Sequence, residues 1–264
     1  MSEIPKLFMW SDRVLYLGPS FDPEVHKHNV VQVCLGIDEP FRISLDEDGP
    51  WQWTRAALIG SNTPHKISSH ETKMAFLYLE SETDDYQAML QFSAEAKSGI
   101  LQSKVDENLL QELVIAQENC SEVVAKELAN QILSIFGLSL NERELLDPRI
   151  AKVLQKLEQT DHGQCESREL EELACLSASR LQHLFREQMG VPIRRYSLWL
   201  RLRRVLGQAI KGQTLMEAAH GAGFSDSAHF SRVFKGMFGI APSLLFSAEN
   251  SVTFFLSEMK SVRG

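Results

Sequence analysis

The chain has no long apolar run, no closely paired cysteines and no excess of basic charge, and each lack narrows what it can be. No stretch approaches the ~18 consecutive apolar residues of a membrane-spanning helix, so no span is expected. The opening residues, MSEIPKLFMWSDRVLYLG, lack a basic region followed by an apolar core, so no secretory signal is expected. Cys34, Cys120, Cys165 and Cys175 are scattered and none forms a Cys-x-x-Cys pair, which fits reduced thiols in a cytosolic protein. A formal net charge of −8 would, taken alone, argue against a polyanionic partner. What is present is globular in composition, 44% hydrophobic and 23% charged, and 264 residues suffice for two ordinary domains.

The distribution of charge reverses the impression left by its sum. Residues 1–147 hold 11 Lys and Arg against 24 Asp and Glu, whereas residues 148–264 hold 16 against 11. Residues 180–235 alone hold 10 basic and 3 acidic side chains. An acidic front half and a basic back half suggest two tasks, with the polyanion partner at the back.

The front half opens with short segments rich in β-formers: Val14–Leu17, Val30–Leu35, Phe41–Leu45, Trp51–Trp53, Ala56–Ile59 and Met74–Leu79. Turn clusters such as Gly18-Pro19 and Asp46-Glu47-Asp48-Gly49-Pro50 separate them, the spacing of a small barrel or sandwich. Two helical stripes follow, Leu109/Leu110/Leu113/Val114 and Val123/Val124/Leu128/Ile132/Ile135/Phe136. They are expected to pack either on the barrel or on a second subunit. The domain boundary is expected near Ser139 to Asp147, giving domains at 1–139 and 140–264, and Asp147-Pro148 opens a new helix.

The last third contains a repeat. CLSASRLQHLFREQMG, from Cys175 to Gly190, returns as GFSDSAHFSRVFKGMFG, from Gly223 to Gly239. Leu176 answers to Phe224 and Ser177 to Ser225 at an offset of 48; Leu181 answers to Phe230, Phe185 to Phe234 and Gly190 to Gly239 at an offset of 49. Each copy follows a short helix, and Thr214 with Glu217 spells a capping box for the second of these. Helix, tight turn and helix, made twice, is the layout of a double DNA reader. Leu181, Leu184 and Phe185 form one buried face, as do Phe230, Val233 and Phe234. That leaves Ser179, Arg180, Gln182, His183 and Arg186 exposed in the first unit, and Ser227, Ala228, His229, Ser231, Arg232 and Lys235 in the second. Gln and Arg make bidentate contacts to adenine and guanine in the major groove, while Arg186 and Lys235 suit phosphate. The connecting stretch Ile193 to Ile210 carries Arg194, Arg195, Arg201, Arg203 and Arg204. As a helix its 18 residues span roughly 27 Å at ~1.5 Å per residue, near the ~34 Å between successive major-groove openings. Any one of these arginines read singly is a solvated surface charge; the repeat together with the charge asymmetry is not so easily dismissed.

Residues from about 148 to 246 resemble the DNA-binding domain of the AraC/XylS family of bacterial transcription regulators. The second copy carries the most specific matches: Ala219, Gly223-Phe224-Ser225-Asp226, Phe230-Ser231-Arg232, Phe234-Lys235, Gly239 and Pro242. Leu170, Ala174, Leu176-Ser177, Leu181, Phe185, Gly190, Pro192 and Tyr196 match in the first, and Arg201-Leu202 in the linker. The resemblance implies an α+β protein: an N-terminal cupin-like β-barrel sensor with trailing helices at about 104–136, and a C-terminal all-α domain with two helix-turn-helix units. It implies base reading by Ser179, Gln182 and His183 and by Ser227, Ala228 and Arg232. It further implies an effector-responsive, cytoplasmic and nucleoid-associated regulator, commonly an activator, that is not an enzyme and needs no cofactor. Its partners would be promoter DNA, a second copy of itself, RNA polymerase and a small-molecule effector. The sequence departs from the family at Cys175, where glycine is common, at Glu171, where a small residue is usual, and after Pro242. The tail from Ser247 to Gly264 has no family counterpart.

His26-Lys27-His28, Gln32, Gly36 and Pro64-His65 resemble a reduced cupin metal motif, with His26 and His28 on one strand face. Gln32 stands where the motif has an anionic Glu, so His26, His28, Gln32 and His65 read as an effector pocket or a vestigial site, without metal. Phe41, Trp51, Trp53, Phe76 and Tyr78 are candidates for an apolar pocket inside the barrel, or ordinary core. Two rival functions remain: a metal-dependent cupin enzyme or metal sensor fused to a DNA-binding tail, which needs the missing ligand, and a thiol sensor using Cys165 and Cys175, which lacks a clearly activating basic neighbour.

Overall fold

The computed structural model of the protein describes residues 4–10, 13–21, 25–27, 30–45, 48–60, 63–70, 72–79, 100–136, 147–160, 165–189, 192–246 and 252–256. The chain divides into two compact units, one built from Met1–Leu140 with Val233–Ser257, the other mainly from Asn141–Arg232.

The first unit is a mixed sheet and helix layer. Strands β1 (Lys6–Met9), β2 (Arg13–Pro19), β3 (Val31–Gly36), β6 (Ala56–Ile59), β8 (Lys73–Leu79), β9 (Ile100–Ser103) and β10 (Thr253–Leu256) form a seven-stranded sheet in the order β10-β1-β2-β8-β3-β6-β9. A second sheet has the order β5-β4-β7, from Gln52–Thr54, Phe41–Ser44 and Lys66–Ser68. Among the described residues no pairing closes either sheet into a barrel. Strands β2, β3 and β8 are apolar along nearly their whole length because both faces are covered. Leu15, Leu17, Val33, Leu35 and Leu77 face the helices, while Tyr16, Cys34, Phe76 and Tyr78 alternate to the other face and are also buried.

Two helices cover the first of these faces. Asp106 accepts from Asn108 N–H to cap α1 (Glu107–Glu118), and Ser121 accepts from Val124 N–H to cap α2 (Glu122–Ser134). Leu109, Leu110, Leu113, Leu128, Ile132 and Leu133 share one core with the sheet. Each such burial contributes about 1.5–3 kcal/mol, so the inner stripes are fully used within one chain. Val114, Val123 and Val124, expected in those stripes, instead lie exposed. The tail contributes β10, which pairs in parallel with β1 from Lys6↔Thr253 to Met9↔Leu256, with Phe255 stacked on Phe8 at 4.4 Å.

The second unit is helical. It contains α3 (Pro148–Gln159), α4 (Ser167–Ala174), α5 (Ala178–Met189), α6 (Ile193–Ile210) and α7 (Leu215–Gly221). Helix α8 (Ser227–Phe238) begins in it, and α9 (Pro242–Leu245) follows in the first unit. Asp147 caps α3 by accepting from Arg149 N–H at 2.9 Å, with Pro148 in the first turn. Ile150, Val153, Leu157, Leu170, Leu181, Phe185 and Tyr196 form the core of α3–α6. No described helix is long and apolar enough to cross a membrane.

Candidate nucleic-acid interface

The first helix-turn-helix is α4, a turn and α5. Ala174 is buried where the two helices meet. The turn is made by Cys175 in the left-handed region, φ 52, and Leu176 N–H closes it on the Glu171 carbonyl at 3.1 Å. Helix α5 buries Leu181, Leu184, Phe185 and Met189. Ser179, Arg180, Gln182, His183 and Arg186 are all exposed, as the spacing predicts. His183 lies 3.7 Å from Glu187, one turn on.

The second helix-turn-helix is α7, a turn and α8. The capping box is present: Thr214 Oγ1 accepts from Glu217 N–H at 3.2 Å, and Glu217 accepts from Thr214 N–H at 3.0 Å. Gly223 supplies the left-handed residue, φ 81, and Phe224 N–H reaches the Ala219 carbonyl at 3.0 Å. Asp226 then caps α8, accepting from His229 N–H at 2.6 Å and from the Ser225 hydroxyl at 3.0 Å. The His229 amide, then the Ser225 hydroxyl, and more weakly Arg232 and His229, hold the Asp226 carboxyl below its ordinary pKa. Ser227, Ala228, Arg232 and Lys235 are exposed. His229 and Ser231 are only half-exposed, and the His229 ring sits 3.2 Å from Ser225 Oγ and edge-on to Phe224. His229 therefore supports the cap.

The sequence places a row of arginines on helix α6, between the two readers. Arg194 is exposed, but Arg201, Arg203 and Arg204 are half-buried, and Arg201 and Arg204 fasten the domain. Arg201 donates to the Gly223 carbonyl at 3.3 Å, tying the connecting helix to the second turn, and Arg204 donates to the Glu158 carbonyl at 2.8 Å, at the end of α3. Burial, and then the charge of Arg204, lower the pKa of Arg201. Helical spacing alone does not separate these structural arginines from phosphate-facing ones, although the match of Arg201-Leu202 to the linker pattern is the available signal.

Two of the front-half candidate histidines lie side by side. His26 and His65 form an isolated antiparallel bridge, their rings 4.3 Å apart, and His28 lies outside the described residues. His65 is fully buried; Nδ1 lies 2.9 Å from the Thr63 carbonyl and Nε2 lies 3.1 Å from the Gln32 side-chain amide. Nδ1–H donates to Thr63, and turning the Gln32 amide lets its NH2 donate to Nε2. A neutral imidazole then has both nitrogens satisfied, so Gln32 in place of Glu makes this a hydrogen-bonded core pair. No group of three His, Cys, Asp or Glu suited to a metal occurs among the described residues. Phe41, Phe76 and Tyr78 are buried, but Trp51 and Trp53 are exposed and line no interior pocket.

Two helix-turn-helix pairs with Gln and Arg on their outer faces have the arrangement of a double DNA reader. Residues 170–247 match the family model described as "Helix-turn-helix domain". The arabinose operon regulatory protein of Escherichia coli K12 is 33% identical over 132 residues, covering 47% of this chain and 44% of that protein. Its Salmonella typhimurium counterpart gives 33% over 132 residues, covering 47% and 45%. The chain thus spans less than half the length of these curated relatives. An apo form of a ToxT point variant from Vibrio cholerae superposes with a TM-score of 0.52 at 12% identity, covering 89% of this chain and 97% of that one. ToxT bound to (E)-4-(8-methylnaphthalen-1-yl)but-3-enoic acid gives 0.50 at 12% identity, covering 89% and 98%. These structures show a shared fold. Residues 170–247 thus carry a helix-turn-helix domain, and over 132 residues the chain is similar to the arabinose operon regulatory proteins.

Proposed function

We propose that the chain is a sequence-specific transcriptional regulator that binds promoter DNA through its two helix-turn-helix units. The observation that carries this is the pair of recognition helices α5 and α8, each set after a turn with a left-handed residue and each with its predicted polar face outward. In this reading Ser179, Gln182 and His183 read bases in one half of the site and Ser227, Ala228 and Arg232 in the other. Arg180, Arg186 and Lys235 engage the flanking backbone. The front unit senses a small-molecule effector through a cupin-like sheet layer, and the protein works in the cytoplasm as a homodimer that engages RNA polymerase at the promoter. ToxT, which shares the fold, has been solved with a small carboxylic acid bound, and this supports a sensing role. The inner stripes Leu109/Leu113 and Leu128/Ile132 cannot form the dimer seam, because they are buried against their own sheet. The outer surface of α1–α2 takes that role.

The test is binding of the full chain to promoter fragments across a salt series. Affinity should fall by orders of magnitude from low to moderate salt, since phosphate neutralisation releases counterions. A flat response, or no sequence preference, would sink the reading.

A further inference from the structure

Two surfaces of the first unit expose large apolar side chains, one beside cations and the other beside acids. The β5-β4-β7 sheet buries Phe41, Ile43 and Ile67 on its inner side. On the outer side Arg42 pairs in register with Trp53. The Arg42 guanidinium lies 5.2 Å from the Trp51 ring centroid and 5.6 Å from that of Trp53, and Lys66 Nζ lies 4.8 Å from Trp51. His70 stacks on Trp53 at 5.7 Å and 20°. Trp53 is nonetheless 61% exposed and Trp51 38%. These contacts hold the indoles in place, so a partner need not restrain them afresh, and Trp beside Arg is the composition of an interface centre. Asp48, in the β4–β5 connection, is an exposed acid close in sequence to this side, which carries Arg42 and Lys66.

The outer surface of α1–α2 is the complement. Ile115 is 64% exposed and Val123 80%, with Val114 and Val124 beside them in sequence. Glu112, Glu118, Glu122 and Glu127 are exposed on the same helices, with Lys126 the exposed base within them. If two copies joined like to like through these helices, a two-fold axis would set acid against acid, and like charges across an interface are disfavoured.

We infer that the acidic α1–α2 surface of one copy docks on the tryptophan–cation face of the β5-β4-β7 sheet of a second copy. Valine and isoleucine meet indole, and the glutamates meet Arg42 and Lys66. A two-fold dimer makes this contact twice, each copy lending both faces. The inference rests on the homodimer reading above and specifies its geometry.

The test is sedimentation velocity on the full chain over about 1–100 µM, with melting curves to confirm folding. The parent should dimerise, less tightly at high salt. Arg42→Glu with Trp53→Ala should weaken association at least ~10-fold, and so should Glu118→Lys with Glu122→Lys and Glu127→Lys. Mixing the helix triple variant with Arg42→Glu/Lys66→Glu should restore association that neither shows alone. In the parent, tryptophan emission should shift to the blue and acrylamide quenching should fall as the dimer forms, a readout that needs no variant. If the sheet variants keep the parent affinity and quenching is unchanged, the dimer stands and this geometry falls. A parent that stays monomeric throughout overturns the dimer reading and the inference together.

Discussion

Cys175 and Gly223 stand at the same place in the two helix-turn-helix turns and adopt the same left-handed backbone, φ 52 and φ 81. Glycine takes this conformation freely, whereas a residue with a Cβ is strained by about 1–2 kcal/mol. The first reader therefore holds strain that the second does not.

Cys175→Gly should stabilise the protein by roughly 0.5–1 kcal/mol, the relieved strain less the extra freedom glycine gives the unfolded chain. Gly223→Ala should destabilise it by a similar amount. Thermal melts of the two variants decide the matter, and a lower Tm for Cys175→Gly would contradict it.

Arg232→Ala should relax sequence preference at one half of the site, costing on the order of 1–3 kcal/mol if the contact is a bidentate guanine pair. Lys235→Ala should weaken binding to all sequences alike. Selection from randomised sites reads the difference; an unchanged motif with Arg232→Ala would mean that this side chain does not face the groove.

Asp147 is held down to about 2 by the Arg149 side chain and amide. Its folded pKa lies below the unfolded value of ~3.9, so its contribution is complete above that value and is lost as pH falls towards 2. Melting temperatures between pH 2 and 5 should therefore drop more steeply for the parent than for Asp147→Asn. Parallel curves would show that the cap does not titrate in this way.

Gln32→Leu should cost about 1–3 kcal/mol, because it strips the buried Nε2 of His65 of its partner. Purified parent protein should hold clearly less than one metal ion per chain by elemental analysis. A tightly bound equivalent, lost in His65→Ala, would return these residues to metal chemistry.

The helical domain is legible in the sequence because its signals are local. Asp147-Pro148, the Thr214/Glu217 box and Gly223 each act within a few residues, and the helical period separates Leu181 and Phe185 from Gln182 and Arg186. The front unit is less so. Strands β1 and β7 are only four and three residues long, and β10 pairs with a segment some 240 residues away, which no local pattern encodes. Trp51 and Trp53 read as core because apolar character predicts burial only on average. Val123 and Val124 read as part of a stripe that in fact turns inward at Ala125, Leu128 and Ile132. Gly239, φ 75, follows the end of the second recognition helix as its sequence position predicts, while Gly190 lies outside the described residues.

The pairing of Lys6–Met9 with Thr253–Leu256 sets an order on biosynthesis. Synthesis runs from the amino end, so β1 leaves the ribosome long before its outer neighbour exists. Until then Leu7-Phe8-Met9 presents an apolar strand edge of the kind that recruits other chains. A nascent or truncated chain ending before Thr253 carries that open edge permanently. Premature termination just short of that residue should therefore yield an aggregating product, even with both DNA-reading units already made.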